Sequence, residues 1–414
     1  MSNAPNTRGH AGLTLAIGAG LVLGLAVGPL LGPAAAPLGD LGKLVIQLIK
    51  AIATPLLFLA VLNGVLRTEV GARSGARMFF FSGINAIIAV TIGLALSNAF
   101  RPGDHLAAAI PAHDAAKTQE YADRQFDLIK TIGGYVPTDL ISPFSGNVVL
   151  TIIGIAILGG LALRRVKAQQ LASGSTAYRS IEDAIDTLLS GVQVALGWVV
   201  MLVPVAVFGV VAKTVGQYGF APMRGLAAYL VIGLLGLSLQ VLITYQLWIG
   251  LWARIGLTRF WAAARDPVVY GLGSNSSLAT LPLTLGALRR LRVSEEAATV
   301  GACVGTNFNN DGILLYEGMA VLFVAQAHGI DLSLGQQLFA AGTCVVAAMG
   351  VAGVPEAGIV SLAIVLNAVG LPLELLPLLL TVDWVIARGR TAVNVLSDMV
   401  LSILIDGRNR SEIA

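Results

Sequence analysis

The sequence predicts an all-α polytopic membrane protein, with eight transmembrane helices and two re-entrant helical hairpins arranged as inverted repeats. Three observations support this fold class. The 414 residues are 56% hydrophobic and only 12% charged, whereas soluble domains have about 25% charged residues. The mean hydropathy is +0.81. Long apolar stretches recur along the chain, and three polar or glycine-rich breaks interrupt its C-terminal part.

Apolar stretches predict the helices in order. A bilayer crossing needs ~20 apolar residues, and stretches of about this length or longer lie at 12–32, 42–66, 78–100, 146–164, 180–215 and 224–253. A seventh helix is expected at 294–326, and an eighth carries the polar residues near the C-terminal end. We expect the first stretch to be a membrane helix and not a removed signal, because it lacks a small-residue cleavage site.

Short basic clusters predict the orientation, since cytoplasmic loops carry an excess of Lys and Arg. If all clusters are cytoplasmic, an even number of helices must separate them, and pairs of predicted helices satisfy this condition. Both termini are then cytoplasmic, in an inner (plasma) membrane. The clusters are Arg67/Arg73/Arg77, Arg164/Arg165/Lys167, Arg254/Arg259/Arg265, Arg289/Arg290/Arg292 and Arg408/Arg410.

Two segments are predicted to enter the membrane and return. Residues 266–288 lie between two basic clusters and contain a polar run at 274–277, which suits the tip of a hairpin spanning about 258–292. A second hairpin, at about 333–371, has Gly353, Pro355 and Gly358 near its centre and enters from the opposite face. Two interrupted segments of opposite entry are typical of transporters with a binding site near the midplane.

The eighth helix predicts a polar face. With about 100° between successive residues, Asp383, Arg390, Asn394 and Asp398 fall on one side, with Thr391 beside them. Arginine donates two parallel hydrogen bonds to a carboxylate, which makes Arg390 a candidate for binding a substrate carboxylate. An internal salt bridge between Arg390 and one of the two aspartates is the open alternative.

The break at residues 309–312, with the sequence NNDG, offers hard oxygen ligands for a small cation. Glu317 follows six residues after Asp311. A buried carboxyl group there can carry a proton, or it can be a neutral hydrogen-bond donor with no role in transport. The sequence leaves both readings open.

Other features exclude several classes of function. The hydrophilic stretch 101–141 mixes both charge signs and is expected to be a solvated exterior loop. Four scattered histidines lack metal-ligand spacing, and Cys303 and Cys344 lie in apolar segments. We expect no enzyme activity, no nucleic acid partner and no cofactor beyond a coupling ion, Na⁺ and/or H⁺.

Several motifs resemble the glutamate transporter family, the dicarboxylate/amino-acid:cation symporters. They are SNSSLATLPLT, GTNFNNDG, LYEGMAVLFVAQ, VAGVPEAG and VDWVIARGRTAVNVLSD, with weaker likeness in IKAIATPLLF and VPTDLISPFSGNVV. The resemblance implies a homotrimer whose mobile transport domain moves like an elevator along a static scaffold. The implied division is scaffold 11–70, transport 77–100, exterior loop 101–144, scaffold 145–220 and transport 221–407.

The resemblance also implies roles for individual residues. The substrate-binding set is Ser276, Ser277, Val354, Gly358, Arg390, Thr391 and Asn394. The sodium set is Gly305, Asn307, Asn309, Asp311, Asn394 and Asp398. Glu317 occupies the acidic position associated with proton coupling in the animal members. Arg388 on the last helix, together with Asn275 on the first hairpin, also resembles the animal members, in which the extra arginine lies on the last helix and not on the first hairpin.

Departures from the family pattern concern selectivity. Ala387 stands where the amino-acid transporters have an aspartate for the substrate ammonium, Ile313 replaces a threonine, and Glu356 adds a charge to the second hairpin tip. Asn310, Asn85 and Ala86 also differ from the pattern around the deeper sodium site. The expected function is symport of a small carboxylate across the bilayer, either a C4-dicarboxylate or a solute like an acidic amino acid. The alternative is a transport-defective sensor or an anion channel with the same fold.

Overall fold

The computed structural model describes residues 7–67, 72–107, 139–145, 149–350 and 357–407, and the regular structure within these ranges is helical. This confirms the all-α class. The main helices are α1 (Thr7–Leu31), α2 (Gly39–Arg67), α3 (Ala72–Phe100), α4 (Val149–Ala172), α5 (Tyr178–Val200), α6 (Val203–Tyr218), α7 (Ala221–Leu239), α8 (Leu257–Ser274), α9 (Ser277–Arg290), α10 (Asp311–Ala327), α11 (Leu334–Gly350), α12 (Ala357–Val369) and α13 (Leu376–Asp406).

Four helical segments of the described chain are long and apolar enough to cross a membrane. They are Leu15–Leu66, Arg73–Phe100, Tyr178–Tyr218 and Ala221–Trp252. The first of them contains α1 and α2, and the third contains α5 and α6. A multi-pass membrane protein is therefore supported, whereas the count of eight crossings stays a prediction.

The helix predicted over 180–215 differs in the structure, because it is divided into α5 and α6 at Met201 and Leu202. Pro204 is the second residue of α6. Proline has no N–H to donate to the preceding turn, and its ring clashes with the carbonyl four residues earlier. The apolar pattern runs through this point unchanged, which explains why it predicted one helix.

One group of helices is formed by α1, α2, α4, α5 and α6. Here α1 lies along α6, and α2 contacts α4, α5 and α6. Gly20 and Gly28 of α1 meet the backbone of α6 so closely that a Cβ atom would collide with the carbonyl oxygens of Pro204 and Ala212. Gly24 lies between them and meets the Val211 side chain, which gives the four-residue spacing of small residues that allows close approach of helices in membranes.

A second group surrounds α13, which contacts α7, α8, α9 and α10, while α10 contacts α3, α11 and α12. Every residue of α10 is buried. Gly312 at its start lies against the backbone of Arg390 in α13, where a Cβ atom would leave too little room. The start of α10 is thereby fixed beside the middle of α13.

Both predicted hairpins consist of two helices. The first has α8 and α9 as its arms, joined at Asn275 and Ser276. The second has α11 and α12 as its arms, and its predicted tip at 351–356 lies outside the described residues. These arms match the predicted boundaries to within a few residues, and their entry into a membrane stays a prediction.

Irregular helix occurs at two places beside α10. The helix predicted over 294–326 begins with the short helix Glu295–Ala298, continues as π-helix over Thr299–Val304 and a 3-10 turn over Gly305–Asn307, and resumes at Asp311. The predicted NNDG break is therefore real. The end of α7 also continues into π-helix, at Gln240–Tyr245 and Trp248–Trp252. Such π segments are frequent at functional sites.

Candidate functional site

Arg390 is buried near the middle of α13 and forms an ion pair with a carboxylate of the same helix. Its Nη2 donates to Asp383 Oδ2 at 3.2 Å, and the two side chains are only 5% and 1% exposed. Its Cζ atom lies 4.1 Å from the centre of the Tyr316 ring. The salt bridge left open by the sequence is therefore present, and it is supplemented by a cation–π contact.

The second hairpin reaches the same guanidinium. Gly358, in the first turn of α12, lies so close to Arg390 that a Cβ atom would overlap the guanidinium group. The N-terminus of a helix and an arginine side chain both favour an anion. The structure thus joins Gly358 and Arg390 of the predicted substrate set, whereas Val354 and Glu356 lie outside the described residues.

The tip of the first hairpin is fixed by its own cap and by α13. Ser276 caps α9 by accepting a hydrogen bond from the Ala279 N–H at 3.2 Å. Asn275 has φ of 52°, a left-handed conformation that asparagine tolerates better than most residues. The hydroxyl of Thr391 donates to Asn275 Oδ1 at 3.0 Å. Ser277, the first residue of α9, is partly exposed.

Arg388 points to the opposite side of α13 from Arg390 and holds the end of α8. Its Nη1 donates to the carbonyl oxygens of Leu272 at 2.8 Å and Gly273 at 3.2 Å. A cation at a helix C-terminus is stabilising, because the last carbonyl groups lack helical donors. Arg388 therefore contacts the first hairpin beside Asn275, in the region that the family resemblance implied.

Asp311 is held by three donors from two elements. Its Oδ2 accepts from Ser397 Oγ at 2.6 Å, Tyr245 OH at 2.8 Å and Gln240 Nε2 at 3.3 Å. Asn309 Nδ2 donates to the same serine oxygen at 2.6 Å. The sequence indicated Asp311 and Asn309 but missed the three residues that orient them.

Asn394 and Gly305 make backbone contacts that the sequence did not predict. Asn394 Oδ1 accepts from the Gly312 N–H at 2.9 Å, which secures the first turn of α10. The Gly305 carbonyl accepts from the N–H groups of Phe308 at 2.7 Å and Asn309 at 2.8 Å. The side chain of Asn307 lies outside the described residues.

Three buried side-chain oxygens of the predicted sodium set lack a hydrogen-bond donor among the described residues: Asn309 Oδ1, Asp311 Oδ1 and Asp398 Oδ1. The neighbouring Gln240 Oε1 lacks one too. Thr306 and Asn309 lie beside the Asp398 carboxyl group, and Asp311 is close enough to act on it electrostatically. Buried acceptors without donors are costly, and a small hard cation binds such oxygens. These residues therefore fit a coupling cation.

Glu317 is completely buried, and neither of its carboxyl oxygens has a hydrogen-bond donor among the described residues. The neighbouring polar groups are Ser361 of α12, Cys344 of α11 and, at longer range, Arg390. Both arms of the second hairpin therefore face this carboxyl group. Proton carriage by Glu317 therefore stays a prediction.

Two of the selectivity departures, Ala387 and Ile313, are buried apolar residues beside the polar face of α13. Ala387 is one turn before Arg390 and 2% exposed, while Ile313 is in the first turn of α10 and 6% exposed. Neither side chain offers a partner for an ammonium group. At the deeper position, Asn85 Oδ1 accepts from Trp248 Nε1 at 2.8 Å.

One of the partner residues that the sequence analysis did not predict could have been found from the sequence. Gln240 is a buried polar residue in a hydrophobic helix, which often marks a solute or ion pathway. Tyr316 and Ser397 stood inside motifs that resembled the family, but nothing in their spacing pointed to Arg390 or Asp311. Their roles depend on the tertiary contacts between α10, α7 and α13.

Comparisons with known proteins agree with this architecture. The model of the sodium:dicarboxylate symporter family matches residues 13–408. The chain is 28% identical over 381 residues to the proton/glutamate-aspartate symporter of Escherichia coli (strain K12), covering 89% of this chain and 84% of that protein.

Two further relatives are C4-dicarboxylate transport proteins. The chain is 31% identical over 383 residues to C4-dicarboxylate transport protein 3 of Ralstonia nicotianae, covering 89% of this chain and 82% of the relative. It is 27% identical over 371 residues to the Bacillus subtilis protein, covering 88% and 86%. The matching family is one of transporters and not of enzymes. Because the family model spans nearly the whole chain, this protein belongs to the sodium:dicarboxylate symporter family.

Proposed function

We propose that this protein is a secondary active symporter that moves a small C4-dicarboxylate across the plasma membrane with Na⁺ and/or H⁺. One observation carries the proposal most directly. A guanidinium that is almost fully buried lies at the junction of α13, α10 and the second hairpin, against Gly358 and Tyr316. A fixed arginine fork suits a carboxylate. The two relatives that are C4-dicarboxylate transport proteins support this class of solute, whereas the Escherichia coli relative is a symporter of glutamate and aspartate.

The surroundings of Arg390 favour a dicarboxylate over an acidic amino acid. An ammonium group buried without a counter-charge is costly, and Ala387 and Ile313 offer none. The aspartate beside the guanidinium, Asp383, already pairs with Arg390. Glu356 in the second hairpin is the competing partner for an ammonium group, and its role stays a prediction.

In the proposed mechanism, solute binds between the two hairpin tips, and residues 350–360 close over it. Arg390 binds one carboxylate, while Ser276, Ser277, Val354, Gly358, Thr391 and Asn394 complete the site. The group around α13 then moves as an elevator past the scaffold formed by α1, α2, α4, α5 and α6. The packing of these helices into two groups supports this division. Homotrimeric assembly and cytoplasmic termini belong to the same proposal.

We assign cation coupling to the polar residues of the predicted sodium set. Asp398, Asn309, Asn394 and Gly305 form one proposed sodium position, and Asp311 with Asn309 forms a deeper one. The donor-free oxygens of Asn309, Asp311 and Asp398 support binding of a small cation. Glu317 is the proposed proton carrier, because it is buried beside both arms of the second hairpin.

Uptake into proteoliposomes tests the proposal. Vesicles with an imposed sodium gradient, a pH gradient or neither are supplied with labelled C4-dicarboxylates and acidic amino acids in parallel. We expect gradient-dependent uptake of dicarboxylate that Arg390→Ala abolishes. Uptake that is equally fast with and without the two gradients, or that is unchanged by Arg390→Ala, would contradict the assigned function.

The same vesicles test the alternative of an anion channel or a sensor. A channel conducts anions without solute accumulation, and a transport-defective sensor binds solute without moving it. A conductance that persists without dicarboxylate, together with no counterflow, would favour the channel. Binding measured by thermal shift without any uptake would favour the sensor.

A further inference from the structure

The cluster around Asp311 uses only one of the two oxygens of that carboxyl group for protein contacts. Oδ2 accepts from Ser397, Tyr245 and Gln240, whereas Oδ1 has no donor among the described residues. Asp311 is fully buried. A carboxylate held this way has one oxygen fixed by donors, and its other oxygen is not used by the described residues.

The π-helical segment Gln240–Tyr245 explains how two donors reach the same oxygen. In an α-helix, residues five apart point in different directions, since partners lie three and four residues apart. In a π-helix the backbone hydrogen bonds run from i to i+5 and each turn holds more residues than an α-helical turn, which brings Gln240 and Tyr245 closer to one face, and both donate to Asp311 Oδ2. The irregular helix therefore has a specific consequence at the carboxylate.

Ser397 connects this carboxylate with the neighbouring amide. Its hydroxyl donates to Asp311 Oδ2 and accepts from Asn309 Nδ2, both at 2.6 Å. With its nitrogen held by Ser397, Asn309 keeps its oxygen free of donors, as Asp311 does. Asp398 directly follows Ser397 in the sequence, and its Oδ1 is also without a donor among the described residues.

The cluster contains two carboxyl groups, whose negative charge when both are ionised is not balanced by a cationic side chain of the described residues. Asp311 and Asp398 are buried carboxyl groups that act on each other electrostatically. Within the described part of the chain, no Lys, Arg or His forms an ion pair with either of them. When ionised, two buried carboxylates need a positive partner, and their donor-free oxygens, with that of Asn309, are the groups left to bind it.

We propose that Ser397 and Tyr245 are positioning residues for a sodium ion, holding the Asp311 and Asn309 side chains so that their free oxygens face the cation. This inference rests on the proposed cation-coupled function and adds two residues that set sodium affinity. Partners behind a metal ligand commonly change metal affinity by about 10–100-fold when removed. Losing Ser397 should therefore weaken sodium binding without removing a ligand oxygen of Asp311 or Asn309.

Thermal unfolding of the purified full-length protein tests the inference without transport. NaCl is titrated against choline chloride at fixed ionic strength and pH, with no solute present. We expect sodium to raise the unfolding temperature of the wild type. Ser397→Ala should raise the half-maximal sodium concentration about tenfold or more, Tyr245→Phe should shift it in the same direction, and Ser397→Thr should restore it by returning the hydroxyl.

Ser402→Ala is the matched control. Ser402 is a buried serine of the same helix whose hydroxyl donates only to the Asp398 backbone carbonyl, at 2.8 Å. Its removal should leave the sodium titration unchanged. Wild-type titration curves for both Ser397→Ala and Tyr245→Phe, or an equal shift for Ser402→Ala, would overturn the inference.

Uptake by the wild type distinguishes a failure of this inference from a failure of the proposed symport function. Uptake driven by a pH gradient, with no stabilisation by sodium, would overturn this inference and leave the symporter intact. Stabilisation by sodium that depends on Ser397, with no uptake under any gradient, would support the inference and contradict the proposed function.

Discussion

Arg390 and Asp383 lie seven residues apart on one helix and form an ion pair of 3.2 Å whose two side chains are almost completely buried. The helix therefore contains its own carboxylate partner for the arginine that we assign to substrate. A solute carboxylate must compete with Asp383, or share the guanidinium with it, since the fork can serve two acceptors.

Replacing Asp383 by Asn should destabilise the empty protein and increase the stabilising effect of solute. Breaking a buried ion pair leaves an uncompensated charge and lowers the free energy of unfolding by about 3 kcal/mol. A bound dicarboxylate then supplies the missing charge without competition. Thermal unfolding with and without saturating dicarboxylate measures both effects. Equal solute-induced shifts in wild type and variant would rule out competition by Asp383.

Replacing Arg390 by Lys should reduce dicarboxylate affinity by about tenfold or more, although the charge is retained, because lysine cannot make the two parallel hydrogen bonds. It also loses stacking on Tyr316. Binding is measured by calorimetry on purified protein. Arg259→Lys, at an exposed position early in α8, is the control and should bind like the wild type. Equal affinities for all three proteins would remove Arg390 from the site.

Replacing Gly358 by Ala should strongly impair binding, because a Cβ atom at this position would overlap the Arg390 guanidinium. Gly342→Ala, in the other arm of the same hairpin, is a matched control, since no heavy atom lies within 4 Å of its added Cβ. We expect the Gly358 variant to lose most dicarboxylate binding and the Gly342 variant to keep it. Similar losses in both would indicate a general effect on hairpin folding.

Replacing Ala387 by Asp should shift preference from dicarboxylates to acidic amino acids. The new carboxylate lies one turn from Arg390 and supplies a counter-charge for the ammonium group of an amino acid. It repels a dicarboxylate that has no ammonium group to offset the added negative charge. The ratio of uptake rates for aspartate and succinate should rise at least about tenfold. Ala387→Asn, similar in size and uncharged, should leave preference for the dicarboxylate. An unchanged ratio in the Asp variant would indicate that another group, such as Glu356, decides selectivity.

The sequence predicted the polar side of α13 because helical periodicity alone places Asp383, Arg390, Asn394 and Asp398 on one face. It also predicted the arms of both hairpins, where polar or glycine-rich runs interrupt apolar ones. It did not predict the division between α5 and α6, since apolar periodicity continues across Met201 and only Pro204 marks the break.

Local sequence therefore determined the class of the protein, its helices, its interrupted segments and most side chains of the candidate site. Hydropathy and helix-breaking residues act over short distances and can be found along the chain. The tertiary structure alone decided which polar groups meet: Asp383 with Arg390, and Ser397, Tyr245 and Gln240 with Asp311. The contacts of Asp311 depend on helix packing and on the π-helical segment Gln240–Tyr245 after α7, because each hydrogen bond needs two side chains brought within about 3 Å from distant parts of the chain.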